Sequence, residues 1–321
     1  MRFQLKAYIL IISVVLLCFN LTINAQNFHY SDQHENIFKS NPASISNIER
    51  LAFQLTYRNQ WPGNSDFVTY DGTFMMSSAR LKSSLGIHIY RDSQGGGIIS
   101  LTGASLLYAY RTQFRRDWYF SAGIQASFSQ YYAGFSGLDY EDPGLGIPPD
   151  ESYLYFDFST GTELQYRDRH WFGLSITHLG AFQTHMAGAL NTGINLSYRG
   201  RYPFNARSRR VYTYLEPLFY TAINLDYSEI LYGARINYES VYGGIYIRQN
   251  HRFQFDAAII LLGTRFGNAE LFYTYDINLS GVNSMFTNLA AHEVTFLYNM
   301  QYNKKTIRKS RKRGAIKCPK I

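Results

Sequence analysis

Cysteine, proline and long apolar runs are the scarce features of this 321-residue chain. Its two cysteines are Cys18 and Cys318, so a disulfide-built scaffold is excluded. Past residue 19 no apolar run approaches the roughly 20 residues that a membrane helix requires. With a mean hydropathy of −0.23, a bundle of membrane-spanning helices is excluded as well. Only 8 prolines interrupt the chain, too few for a proline-rich disordered protein. Aromatics are abundant instead. The 28 Tyr, 23 Phe and 3 Trp make up 17% of the residues, as many as all charged residues together. Aromatic wealth beside 25 glycines points to strands and turns.

The net charge of +8 is unevenly placed. Lys304, Lys305, Arg308, Lys309, Arg311, Lys312, Arg313, Lys317 and Lys320 stand in a tail, 304–321, that contains no acid. Without them 22 bases face 23 acids, so the body of the chain is close to neutral. A nucleic-acid-binding domain would spread its bases over a folded face, and no such partner is expected here.

At the other end, Arg2 and Lys6 precede an apolar stretch from Ala7 to Phe19, and Ile23-Asn24-Ala25 offers a small residue before Gln26. This is the pattern of a secretory signal peptide, expected to span 1–25. Leu17 stands where a lipidated cysteine needs a small residue, which argues against lipidation of Cys18. Cleavage would leave Cys318 as the mature chain's one thiol.

From residue 50 onward, apolar and polar residues alternate. Leu51, Phe53, Leu55 and Tyr57 alternate with Ala52, Gln54 and Thr56; Phe120, Ala122, Ile124, Ala126 and Phe128 alternate with Ser121, Gly123, Gln125 and Ser127. Strand side chains point to opposite faces in turn, so each such segment has one apolar and one polar face. Segments of nine or ten residues suit a tilted membrane strand better than a soluble one. Tyr108, Tyr110, Trp118, Tyr119, Tyr131, Tyr132 and Trp171 gather at segment ends, where an interfacial aromatic girdle belongs. The small, hydrophilic residues of the other face suit a lumen.

The reading is therefore all-β: a transmembrane antiparallel β-barrel of about 14 strands over 50–303, with the chain termini on the periplasmic side. Residues 26–49 are expected as an N-terminal periplasmic segment and 304–321 as a basic periplasmic tail. Parity places Arg91–Gly97 and Tyr132–Ser152 outside, and the shorter basic turns Arg111–Asp117 and Arg167–His170 inside. Pro217 predicts a break or bulge in the segment 211–227.

Catalytic signals are weak. His292-Glu293 lacks the second histidine of a zinc-binding helix, since Phe296 occupies that place in a strand-like pattern. The eight histidines show no ligand spacing, and Gly95-Gly96-Gly97 reads as a loop tip. No enzyme and no cofactor are expected. Asp139, Glu141, Asp142, Asp150 and Glu151 cluster around Pro143 and Pro148-Pro149, a carboxylate chemistry that holds calcium. Their spacing matches no calcium loop, so a solvated acidic loop is the expectation. The nine tail bases suit three roles: an unstructured solubilising end, a contact for anionic lipid head groups, or a docking peptide for an acidic surface of a periplasmic partner.

Several short pieces stand in order: Asn41-Pro42-Ala43, Tyr57-Arg58-Asn59-Gln60-Trp61, Leu107-Tyr108-Ala109-Tyr110, Gly173-Leu174-Ser175-Ile176-Thr177-His178-Leu179 and Gly244-Ile245-Tyr246-Ile247-Arg248-Gln249. Phe255-Asp256-Ala257, Tyr273-Thr274-Tyr275-Asp276, His292-Glu293-Val294 and Ile316-Lys317-Cys318-Pro319 follow. Together they resemble the PorP/SprF family of Bacteroidetes outer-membrane proteins. The chain departs at Ser44-Ile45-Ser46, where the family favours a small residue and glycine, and at Ala290-Ala291, where it favours Gly-Ser. The resemblance implies a non-enzymatic barrel of type IX secretion and gliding motility, assisting secretion or surface anchoring of a large adhesin. Implied partners are outer-membrane lipid, type IX secretion components, a periplasmic peptidoglycan-linked or ring protein, and a secreted adhesin with a type IX sorting domain. The alternative function is an outer-membrane porin or hydrophobic-solute transporter.

Overall fold

The structure is a computed structural model that describes residues 30–48, 50–62, 67–135, 149–180, 192–204, 213–224, 228–279 and 290–300. It opens with helix α1 (Gln33–Ser40) and a 3-10 helix (Pro42–Asn47). Fourteen long strands follow: β1 (Leu51–Gln60), β2 (Phe67–Ser78), β3 (Ser83–Gln94), β4 (Ile99–Arg115), β5 (Trp118–Ala133), β6 (Glu151–Tyr166) and β7 (His170–Thr177). The second half holds β8 (Gly193–Gly200), β9 (Thr213–Asn224), β10 (Ser228–Tyr238), β11 (Val241–Gln249), β12 (Phe255–Phe266), β13 (Ala269–Asn278) and β14 (Ala291–Met300). Each pairs antiparallel with the next, and β14 pairs with β1, Leu51 opposite Met300 and Gln60 opposite Ala291. The sheet is closed, which leaves no edge strand unsatisfied in lipid.

Alternation is what turns this sheet inside out relative to a soluble protein. On β1, Phe53, Leu55 and Tyr57 are 36–46% exposed, whereas Gln54, Thr56 and Arg58 are at most 4% exposed. Ile124 on β5 is 60% exposed on the same outer surface, in register with Tyr108 of β4 and Thr160 of β6. Large apolar side chains outside and polar ones inside mark a wall that meets hydrocarbon.

Pro217 disrupts one side only. Beside β10 the ladder runs unbroken through Pro217 and Ala234. Beside β8, pairing stops at Leu218 opposite Arg199 and resumes at Leu215 opposite Tyr202, in the two-residue strand Tyr202–Pro203. A proline lacks one donor, so it interrupts the ladder toward one neighbour and spares the other. The stretch is one strand and the count is fourteen.

The two ends of the barrel differ. At the end where β1 starts and β14 stops, every connection except 201–212 has four residues or fewer, among them the two-residue hairpins 116–117, 239–240 and 267–268. Asp117, Glu239 and Gly267 there have φ of 66°, 51° and 64°, the left-handed values that tight hairpins use. Long connections (134–150, 178–192 and 279–290) lie at the opposite end. That asymmetry is the barrel rule of short periplasmic turns and long outer loops, and the two ends are called inner and outer below.

Charge follows the same axis. The inner connections (79–82, 116–117, 167–169, 201–212, 239–240 and 267–268) carry nine Lys/Arg and three Asp/Glu. The outer ones (61–66, 95–98, 134–150, 178–192, 225–227, 250–254 and 279–290) carry one base and six acids. One mouth is basic and the other acidic.

Candidate functional site: a plugged lumen

Nothing in the alternation places residues 30–48 inside the barrel, yet that is where they lie. Asp32 caps α1, its carboxylate accepting from the His34 amide at 2.9 Å, and Asn41 caps the following 3-10 helix by accepting from the Ala43 amide at 3.0 Å. Both cap preferences are local and legible. What holds the resulting unit is wall chemistry from strands far along the chain.

Apolar contact sets its bed. Ile37 packs with Leu218, Leu231, Tyr246, Ile259, Leu261 and Phe272, all on inward faces. Phe38 and Ile45 pack with Ala52, Met75, Leu107, Ala109 and Leu297. The lumen lining is therefore not hydrophilic throughout, as alternation suggests; it carries large apolar residues where the plug's own apolar side chains cover them. Three wall glycines complete the seat. A Cβ at Gly123 would lie 2.5 Å from the Pro42 carbonyl carbon and 2.7 Å from Ala43 Cα. One at Gly161 would lie 2.9 Å from Asn41 Cγ, and one at Gly173 2.8 Å from Asn41 Nδ2. Asn41-Pro42-Ala43 thus rests directly on bare backbone.

Four clusters of buried charge lock the pose. Asp71 on β2 accepts from the Tyr30 hydroxyl at 2.6 Å, pairs with Lys39 at 2.9 Å and contacts His88 Nε2. Glu293 on β14 accepts from the Ser31 amide at 2.8 Å and pairs with Arg58 at 3.3 Å; Arg58 also reaches Ser31 Oγ. Arg58 and Arg248 each lie 3.2 Å from Asp276. Arg235 on β10 bridges Glu35 of the plug and Glu216 of β9, both at 2.7 Å. Glu163 on β6 accepts from Ser44 Oγ at 2.9 Å and Asn47 Nδ2 at 2.6 Å, and pairs with Arg199 at 2.7 Å. Charges buried this deeply persist because they are paired. Burial also keeps His34 neutral, lowering its pKa to about 3, and raises that of Asp32 to about 7.

Above the plug remains a cavity of about 130 Å³. Tyr30, Gln33 and Lys39 border it, and Ser105, Ser127, Ser129 and Asn195 line it with hydroxyl and amide groups. His178 sits at its rim, 2.6 Å from Asp157.

Several sequence-based candidates can now be placed. Glu293 is a buried plug anchor, while His292 Nδ1 lies 2.7 Å from the Tyr273 hydroxyl. Asp150 accepts from the Tyr132 hydroxyl at 3.0 Å and the Phe135 amide at 2.8 Å, and Glu151 opens β6. Asp139, Glu141 and Asp142 lie outside the described residues, as do the nine tail bases from Lys304 to Lys320 and the expected signal segment. Among the described residues no cluster of His, Cys, Asp and Glu has the makings of a metal site. The luminal charges Asp71, Glu163, Glu216 and Arg235 were not singled out by sequence. Their signal was a charged residue on the inward face of an otherwise small-residue strand.

Closed strand topology, an apolar outer belt and unequal ends define a β-barrel of the outer membrane, here with its lumen stopped by its own N-terminal segment. The chain belongs to the PorP/SprF family: the model described as "Type IX secretion system membrane protein PorP/SprF" matches residues 22–298. No curated protein matches it by sequence. Among solved structures it is similar to the Ralstonia pickettii toluene transporter TbuX, at 9% identity and TM-score 0.50 over 83% of this chain and 93% of that one. The P. putida toluene transporter TodX is likewise similar, at 9% identity and TM-score 0.50 over 82% and 94%. At that identity the likeness is one of fold alone.

Proposed function

We propose that this type IX secretion barrel is a non-conducting anchor, which assists the secretion or surface attachment of a large adhesin-type cargo and engages a periplasmic partner through its basic tail. The observation that carries this reading is the filled lumen. A porin needs an open polar channel, whereas residues 30–48 are seated on wall glycines, pinned by ion pairs to β2 and β10 and by hydrogen bonds to β1, β6 and β14. Hydrophobic-solute transport is the second reading, since Tyr220, Ala222 and Ile223 line the cavity above the plug beside its hydroxyl, amide and charged groups. A barrel without a through-path acts by what its two ends hold. Gliding is the setting in which a surface-anchored adhesin would be used.

The tail supplies the periplasmic end. Its nine bases carry no acid among them and follow the last strand directly, so they form an electrostatic docking peptide for an acidic surface on a peptidoglycan-linked or ring protein. Truncation after Asn303 tests this. The expected result is a barrel that still inserts and still runs heat-modifiably on a gel, with reduced cargo secretion and partner capture. Replacing the nine bases by Gln should reproduce the defect. Normal secretion and capture by the truncated chain would overturn the docking role, and a high conductance of the intact chain in planar bilayers would overturn the anchor.

A further inference from the structure

Below the plug, the inner mouth holds two guanidinium groups beside an aromatic ring, each with a carboxylate buried behind it. Arg201 stands 5.5 Å from the Trp171 ring and 5.2 Å from the Tyr214 ring; its partner Glu216 is 2.8 Å away. The arginine side chain is 45% exposed and the glutamate 1%. Arg199 lies 5.8 Å from the same Trp171 ring, 13% exposed, over a Glu163 that is 1% exposed. Its Nε has no hydrogen-bond partner among the described residues. Arg111 lies 4.6 Å from the Tyr119 ring, but its Nη1 and Nη2 are spent on the Ser46 carbonyl, Asn47 Oδ1 and Gln165 Oε1. These arginines, rings and glutamates come from β4 to β9 and the connection after β8, all near the inner ends of their strands.

The geometry points to a docking site for an acidic peptide segment of a periplasmic partner, with Arg199 and Arg201 as its carboxylate receptors. Arg201 spends its Nε on Glu216 and Arg199 its Nη2 on Glu163, so the Nη donors of the half-exposed Arg201, held beside two rings, are left for a ligand. Burying the glutamates leaves the cationic face outward. The described residues of the inner connections carry six bases, Arg201 among them, against three acids, which would draw an acidic chain in and repel a basic one, this protein's own tail included. The site goes beyond the tail-docking reading and rests only on its placement of the short-turn end in the periplasm.

The test uses the full-length chain purified in neutral detergent, with a fluorescein-labelled oligoglutamate peptide as probe. Trp61→Phe with Trp118→Phe leaves Trp171 as the sole tryptophan reporter among the 3 present. Saturable binding that quenches Trp171 is expected, weakening at least tenfold as ionic strength rises from about 0.05 to about 0.5 M. Arg201→Gln and Arg199→Gln should each weaken it about tenfold, the loss of one charge-assisted contact. Arg252→Gln, in an outer connection, should leave it unchanged. Arg201→Lys keeps the charge but loses the planar fork and should fall between. Each variant is scored only where heat-modifiability matches the parent, and Arg201 is the safer site because Glu216 retains Arg235. Binding that survives both Gln substitutions, or that vanishes on truncation after Asn303, overturns the proposal. So does preferential capture of phosphatidylglycerol vesicles over the peptide, which would make the mouth a lipid-headgroup surface. Since the assay is independent of sidedness and secretion, its failure is distinct from failure of the anchor reading.

Discussion

Substituting alanine for Gly123 is the most direct way to ask whether the plug is held as described. The side chain of residue 123 points inward from β5, and its added methyl would meet backbone: 2.5 Å to the Pro42 carbonyl carbon and 2.7 Å to Ala43 Cα. Carbon atoms rest at about 3.5–4.0 Å, so the overlap is about 1 Å against atoms that no rotamer change can move. Over-packing of this kind costs about 1–3 kcal/mol. Alanine also restricts the unfolded chain and favours the strand by about 0.4–1 kcal/mol, a gain independent of the plug. The barrel should therefore form at least as well as before, while the docked plug loses on the order of 1–2 kcal/mol.

Since each 1.4 kcal/mol is about tenfold in population, the fraction of molecules with an undocked plug should rise about five- to thirtyfold. Lys39 gives the readout. Its side chain is 6% exposed and pinned to Asp71, so trypsin reaches it only when the plug opens. Cleavage after Lys39 should accelerate by the same factor, with more frequent open-channel events in planar bilayers. Gly72→Ala is the control, because its Cβ would sit 3.5 Å from Ile89 Cγ1 and Leu55 Cδ2, an ordinary contact on the lipid side. Equal cleavage and conductance for Gly123→Ala and Gly72→Ala would refute the seating of Asn41-Pro42-Ala43 on β5.

Two further changes probe the wall and the locks. Ile124→Arg, 60% exposed on the outer face in mid-strand, should destabilise the inserted barrel by about 2–4 kcal/mol in urea refolding into vesicles, whereas Gln125→Arg on the luminal face should cost far less; equal costs would reverse the facing assignment. Arg58→Met strips the shared partner from Glu293 and Asp276 and should lower stability by about 3–5 kcal/mol, and adding Glu293→Gln should recover part of that loss. Additive losses in that double-mutant cycle would show that the two side chains are not coupled.

How much of this was legible depends on the distance over which a residue finds its partner. Strand alternation is local, so Phe53, Leu55 and Tyr57 against Gln54 and Thr56 already give the facing of β1, and the same reading at Ile124 and Gln125 agrees with their positions. Turn lengths are local too, and they orient the barrel. The plug is the opposite case. An eight-residue helix is too short for a periodic apolar pattern to stand out. Its partners lie far off: Ser31 and Glu293 are 262 residues apart, Ser44 and Glu163 are 119. An inward charge such as Glu163 or Arg235 is tolerated equally by a water-filled channel and by an ion-paired plug, so sequence alone does not separate the two. Glycine is similarly mute. Gly123 and Gly161 read as small lumen residues, and only the backbone of Pro42 and the side chain of Asn41 show why nothing larger fits.

The plug and the inner mouth also share residues, which ties occlusion to whatever docks there. Arg111 donates to the Ser46 carbonyl at 3.2 Å as well as standing over Tyr119. Arg199 holds Glu163, and Glu163 in turn accepts from Ser44 and Asn47. Arg111 and Arg199 at the inner mouth therefore also fix the lower plug, whereas Arg201 pairs with Glu216 of the wall. A ligand that draws Arg111 or Arg199 toward itself competes with those bonds, and by thermodynamic reciprocity a loosened plug would favour that ligand to the same degree. The upper locks at Asp71, Glu293 and Asp276 involve no residue of this mouth. The chain thus divides its plug into a lower segment whose hold is open to periplasmic influence and an upper one that is buried from it, so contact at the inner end need not open the barrier across the membrane.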